Sequence, residues 1–227
     1  MAVKRLLAVL FCLVLICPVA AHAQTRTVAL TFDDGPSGRF TRALLDGLEQ
    51  RQVKATFLLC GYRLKDYPKE AKRILEEGHE IGLHGYSHDP MNAMSHRELE
   101  QELRDNLALL PKGCQPAFLR PPGGASSQTV KEVAKQMGLG ILQWSVDPRD
   151  WATRDAGAIT AMVVDHVRDG DVILLHDMTD SSVEAALAII DRLKAQGVQF
   201  VTVTQLAQRK GISIQPGKEY DRFVTQE

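Results

Sequence analysis

The chain has 227 residues, of which 44% are hydrophobic and 24% charged, with a formal net charge of −1. That balance offers no electrostatic case for binding nucleic acid or an anionic membrane surface. The hydrophobic content is enough to fill a real core, and the length fits one compact domain.

At the N-terminus, Lys4 and Arg5 precede an apolar stretch from Leu6 to Ala21, and Ala21-His22-Ala23 is a small-x-small cleavage pattern. Residues 1–23 therefore read as a secretory signal peptide, with residues 24–227 as the exported domain. The expected location is secreted or periplasmic, with no stable membrane insertion after cleavage. The apolar run is short for a spanning helix, although an uncleaved anchor stays open as the alternative. A lipoprotein reading fails because Ile16, not a small residue, precedes Cys17. The first 23 residues hold two basic and no acidic side chains, so without them the formal charge becomes −3. Only Cys60 and Cys114 then remain, and they flank opposite ends of predicted parallel strands, so two free thiols are expected rather than a bridge.

Seven short β-rich runs follow in chain order: Thr27–Phe32, Ala55–Leu59, Glu80–Leu83, Ala117–Leu119, Leu139–Trp144, Val172–Leu175 and Val198–Val201. Amphipathic helical patterns fill the gaps. Ser95 and Glu98 form a capping box ahead of Leu99, Leu103 and Leu107, and Ser181 with Glu184 repeats that signal before Leu187, Ile190 and Leu193. Gly78, Gly138 and Gly197 stand where helix C-termini are expected, each just before a strand. The alternation implies parallel strands with helices outside, either closed into a barrel or laid open as a doubly wound sheet. No GxGxxG follows the first strand, which removes the usual support for a dinucleotide site. The stretch 215–227 is polar and weakly patterned, a candidate loose tail.

In either architecture, function belongs at the carboxyl ends of the strands. The first run ends in Thr31-Phe32-Asp33-Asp34-Gly35-Pro36, and the third is followed by His84-Gly85-Tyr86-Ser87-His88. Adjacent aspartates on a strand point to opposite faces, so both serve one site only where the backbone turns, as Gly35-Pro36 enforces. Two histidines four apart can face one ion. Together these stretches supply three metal ligands and a spare carboxylate, a combination that reads as hydrolysis. Arg120 ends the fourth run, Asp147 and Asp150 follow the fifth, and His176-Asp177 ends the sixth. Asp147 is read as structural, Asp177 as a cap, His79 and His96 as structural, and His166 as packing beside Ile159, Met162 and Val163.

TFDDGP (31–36), HGYSH (84–88), RPPGG (120–124), DPRDW (147–151) and LLHD (174–177) resemble, in order, the five motifs of the NodB-homology polysaccharide deacetylases, carbohydrate esterase family 4. The resemblance spans nearly all of the exported part and implies an α/β fold, a single-domain distorted (β/α) barrel of about seven parallel strands. It also implies a metal-dependent hydrolase that removes N-acetyl groups from N-acetylglucosamine units of an exported or cell-wall polysaccharide. Chitin oligomers, peptidoglycan and poly-N-acetylglucosamine are the candidate substrates. The physical reading and the resemblance agree on roles. Asp34, His84 and His88 would hold the metal, zinc first, with cobalt or another divalent transition ion compatible. Asp33 would be the general base, paired with Arg120, and His176 the general acid, held and charged by Asp150.

Gly123 would offer its N–H to the oxyanion, and Trp151 and Leu174 would line a pocket for the acetyl methyl. Two positions depart from the family pattern. Gly123 replaces an aromatic residue, and Gly85 replaces a serine or threonine that braces the metal loop, a loss for which Ser87 is a candidate substitute. An O-acetyl esterase on xylan or a similar glycan is the competing enzyme reading. A catalytically weak glycan-binding domain is the reading of another class. The sequence leaves the oligomeric state and the choice of glycan open.

Overall fold

The structure, a computed structural model, describes residues 25–225; the predicted signal peptide lies outside them. Among the described residues no helix is long and apolar enough to cross a membrane. The elements in chain order are β1 (Thr27–Asp33), α1 (Arg39–Arg51), β2 (Thr56–Leu59), α2 (Gly61–Asp66), α3 (Pro68–Glu76), β3 (Glu80–Leu83), α4 (His96–Ala108) and β4 (Phe118–Leu119). They continue with α5 (Gln128–Gln136), β5 (Gly140–Leu142), α6 (Ala156–His166), β6 (Val172–His176), α7 (Asp180–Ala195), β7 (Gln199–Phe200), α8 (Val203–Arg209) and β8 (Glu219–Tyr220).

Each named strand pair is parallel, in the order β6-β1-β2-β3-β4-β5-β8, with β7 pairing the start of β1. The sheet curls until the segment after β5 meets β6, where Val146 bridges Ile173 in parallel register. This is the distorted barrel expected from the motifs. All seven predicted strands are present, with ends shifted by two residues at most.

The stretch expected to be a loose tail is instead tied into this closure. Its β8 pairs with β5, Arg222 bridges Asp171 antiparallel, and Phe223 is fully buried. The polar residues around it hid that role. A run of only two pairing residues and one anchoring aromatic leaves no periodicity to read.

Strand alternation decides what reaches the interior. Val28, Leu30 and Phe32 join the core beneath α1, α3, α6 and α7, whereas Ala29 belongs to a second cluster with Leu58, Phe118, Leu142 and Phe223. Period two then places Thr31 and Asp33 on the same face as Ala29. Both faces of β1 are buried, as a barrel strand covered by helices requires.

Gly78, Gly138 and Gly197 take left-handed conformations just beyond α3, α5 and α7, as expected. The Ser95 capping box is formed, but the buried stripe behind it is Leu99, Leu103 and Asn106, not Leu107. A strict four-residue step drifts off one face of a helix with 3.6 residues per turn, and the third position falls at 106. For α7 the cap is Thr179, whose side chain accepts from the Ser182 N–H, two residues ahead of the expected Ser181. His166 is exposed rather than packed, its Nδ1 lying 2.7 Å from the Met162 carbonyl. His79 is buried and structural, as expected. Its Nδ1 accepts the Ala55 N–H, and burial pushes its pKa down to about 4. Cys60 and Cys114 are both free.

Candidate active site

The carboxyl ends of β1, β3, β4 and β6, with the segment after β5, meet around one cavity of about 450 Å³. Its walls carry Asp33, Asp34, His84, His88, Gly123, Trp151, Leu174 and His176, eight of the ten residues singled out from the sequence. The other two, Arg120 and Asp150, are fully buried behind it. Trp144 and Asp147 also line the cavity and were missed. In the sequence Trp144 reads as the last residue of a strand and Asp147 as structural, and only the tertiary turn after β5 brings them inward.

Asp33 leaves β1 inward, and its Oδ1 accepts from Arg120 Nη1 at 2.6 Å. Arg120 is clamped in turn: Nη1 donates to Thr31 Oγ1 at 2.9 Å, Nη2 to the Gln143 carbonyl at 2.9 Å, and Nε to the Leu142 carbonyl at 3.3 Å. A planar guanidinium with several fixed acceptors cannot rotate away, so Asp33 is held as an oriented carboxylate.

Asp34 reaches the same cavity because its backbone leaves the strand conformation. Its φ is +69°, in the left-handed region, just before the cis Gly35-Pro36 peptide. His88 shares that φ of +69°. Such conformations cost about 1–3 kcal/mol each for a residue other than glycine and persist only where the surroundings over-determine them. Beneath the first turn lies Asp177, a fully buried carboxyl that accepts from Thr41 and whose carbonyl accepts from Ser37. An added Cβ on Gly35 would stand 2.7 Å from Asp177 Oδ1, so glycine is required there by close approach. Burial pushes the Asp177 pKa up to about 6. Asp177 is thus a buttress under the turn rather than the cap expected.

Asp34 Oδ1 lies 3.2 Å from His84 Nε2 and 3.0 Å from His88 Nε2, and the three ligand atoms sit within 4.8 Å of one another. That oxygen is buried, and no donor among the described residues is aligned to hydrogen-bond it. His84 Nδ1 lies 2.7 Å from the Arg120 carbonyl, which fixes the proton on Nδ1 and leaves the Nε2 lone pair free. Burial would raise the Asp34 pKa, but the facing imidazoles outweigh it and hold the carboxyl well below the usual carboxylate range. An orphaned anionic oxygen between two imidazole nitrogens is a donor set that fits a divalent transition ion.

His176 occupies another wall. Its Nδ1 donates to Asp150 Oδ1 at 2.8 Å and its backbone N–H to Asp150 Oδ2 at 2.9 Å. Burial alone would lower its pKa, but the hydrogen bond to Asp150 and the charges of Asp33, Asp150 and Asp34 raise it to about 9. The imidazole therefore carries its proton at neutral pH.

Gly123 has φ +61°, and an added Cβ would meet nothing within 4 Å, so backbone conformation rather than crowding favours glycine there. At Gly124, by contrast, a Cβ would stand 2.9 Å from the Trp144 ring, which also lies near the Arg120 guanidinium. Trp144 is thus the aromatic wall beside the loop.

A model of the polysaccharide deacetylase family matches residues 20–142. The chain belongs to this family. Among related deacetylases, a peptidoglycan-N-acetylglucosamine deacetylase of Bacillus cereus is 40% identical over 191 residues, 82% of this chain and 90% of the relative. A peptidoglycan-N-acetylglucosamine deacetylase of Listeria monocytogenes is 39% identical over 206 residues, 89% of this chain, which spans only 43% of that longer protein. The solved structure of a family 4 acetyl xylan esterase from Clostridium thermocellum, in complex with a cobalt ion, superposes with a TM-score of 0.81 at 36% identity. It covers 87% of this chain and 98% of the esterase.

Proposed function

We propose that the chain is a metal-dependent N-deacetylase acting on N-acetylglucosamine units of an exported or cell-wall glycan, releasing acetate and a free amine. The observation that carries this reading is an oriented carboxylate and a protonated imidazole on the walls of one cavity that also holds the Asp34, His84 and His88 cluster. Zinc suits that donor set, and when bound it would polarise the acetyl carbonyl and acidify water. Asp33, steadied by Arg120, accepts the proton of the attacking water. His176 delivers a proton to the departing nitrogen, an amine too basic to leave without one. Asp150 keeps His176 charged and fixes the ring. Leu174 and Trp151 offer apolar walls for the acetyl methyl, with the Gly123 N–H as the candidate donor to the oxyanion.

Export is part of the same proposal and rests on the charge and apolarity pattern of residues 1–23. N-terminal sequencing of the exported protein is expected to begin at Gln24. The competing esterase reading is supported by the likeness to the acetyl xylan esterase. The glycan-binding reading has only Gly85 and Gly123 in its favour, and a binding module has no use for both a base and an acid.

The test is acetate release from peptidoglycan, chitin oligomers, poly-N-acetylglucosamine and acetylated xylan, with and without chelator. Release from N-acetylated glycans that chelator abolishes is the expected result. Asp33→Asn is expected to lose turnover by about 10²-fold or more while the metal stays bound; retained turnover removes Asp33 from the mechanism. An ester-selective enzyme would tolerate His176→Ala, because ester leaving groups need less acid assistance.

A further inference from the structure

Gly85 lacks the hydroxyl that the family motif places after the first histidine, yet the loop from His84 to His88 is held. The space beside it is filled by Met91, from the turn before α4, and by Glu102 of α4. An added Cβ on Gly85 would stand 2.8 Å from Met91 Cε and 3.2 Å from Glu102 Oε1. That same Glu102 oxygen accepts the Ser87 backbone N–H at 2.6 Å and the Ser87 hydroxyl at 2.7 Å. The Ser87 hydroxyl oxygen in turn accepts the Asp89 N–H at 3.1 Å. The backbone N–H groups of the residues before and after His88 are therefore tied, directly or through the Ser87 hydroxyl, to one carboxylate, and His88 itself is in the left-handed region. One helical turn further along α4, Asn106 Oδ1 accepts the His84 N–H at 3.3 Å. The residues four apart at 102 and 106 lie on one face of the helix and grip the two histidines of the cluster.

We propose that Glu102 is a positioning residue for the metal site. It replaces the missing hydroxyl at position 85 and holds His88 with its Nε2 turned toward Asp34. Glycine at 85 is favoured by its left-handed backbone, φ +82°, and by Met91, and the Glu102 carboxylate takes up the room left beside it. Ser87 is the link between that carboxylate and the loop rather than a substitute acting alone. This inference rests on the metal-dependent reading above, and it predicts that metal affinity is set from a helix that does not touch the cavity chemistry.

The experiment uses the full chain and the metal alone. Zn²⁺ dissociation constants are measured by competition with a fluorescent chelator, Co²⁺ binding is followed by its visible absorption spectrum, and urea midpoints are taken on metal-free protein. Glu102→Ala is expected to weaken Zn²⁺ binding by about 10- to 100-fold, as loss of an outer-shell partner does, and to alter the Co²⁺ spectrum. Glu102→Gln keeps an acceptor oxygen and is expected to recover most of that affinity. Glu100→Ala, on the same helix and paired with Arg104 instead, is expected to leave it unchanged. If Glu102→Ala does not fold, Ser87→Ala removes the hydroxyl link alone and is expected to weaken Zn²⁺ binding several-fold. A wild type that binds while Glu102→Ala, or in its place Ser87→Ala, binds within twofold overturns the proposal alone. A wild type that binds neither ion overturns the metal reading and the proposal with it.

Discussion

Asp150→Asn isolates what one buried charge does for the proton on His176. In the native site the imidazole pKa is about 9, against an ordinary 6.5. At about 1.4 kcal/mol per pH unit, that gap corresponds to about 3 kcal/mol of stability. The folded state holds the proton more tightly than the unfolded one. The contribution is therefore complete below pH 6.5 and is lost as pH rises toward 9. Asparagine preserves the shape but removes both the charge and the charge-assisted hydrogen bond, leaving only Asp33 and Asp34 to oppose burial. More than about half of that contribution is then expected to disappear from the difference between pH 6.5 and 9. The assay is urea unfolding of metal-stripped wild type and variant across that range, because a bound ion would neutralise Asp34. In the metal-loaded enzyme the basic limb of the kcat/KM profile is expected to move to lower pH, with kcat reduced about 10²-fold. Equal loss of stability in both proteins between pH 6.5 and 9 would refute the assignment of Asp150 as the charge that holds the proton.

Two further substitutions test the scaffold behind the site. Arg120→Met strands the buried Asp33 carboxylate and is expected to cost about 3–5 kcal/mol in urea unfolding, partly recovered when Asp33→Asn is added; a cost under about 1 kcal/mol would mean the pair does not organise the site. Phe223→Ala empties the place of a fully buried ring stacked on Tyr220 and is expected to cost about 3–5 kcal/mol, whereas a surface tail would lose under about 0.5 kcal/mol.

Much of the site was legible because its chemistry sits where chain direction is forced. Asp33, His84, Arg120 and His176 each end or follow a strand whose β-rich run announces itself, and parallel strands bring those ends together without further information. What escaped depends on packing across elements. Leu107 and Asn106 differ by one helical position; the 3.6-residue turn carries 106 to the buried face, where its Oδ1 accepts the His84 N–H. Glu102 reads as one more surface glutamate of α4, and its role depends on Ser87, a partner fifteen residues away on another segment. Trp144 and Asp147 turn inward only because the segment after β5 bends to meet β6. The tail went unread because its hold on the barrel is made of two strand residues, two ion pairs and two buried rings.

That tail has a consequence for how the molecule comes together. Glu219 and Tyr220 pair with residues of β5, and Arg222 reaches Asp171, so the seam of the barrel is sealed by contacts between positions far apart along the chain. Each carries a loop-closure cost that local helices do not. The α4 and α7 helices can nucleate from their own caps, whereas the seam forms only once the preceding strands are in register. Folding is expected to be limited by this late seam, and a partly synthesised chain, lacking residues 219–223, would keep the edge of β5 open to other strands.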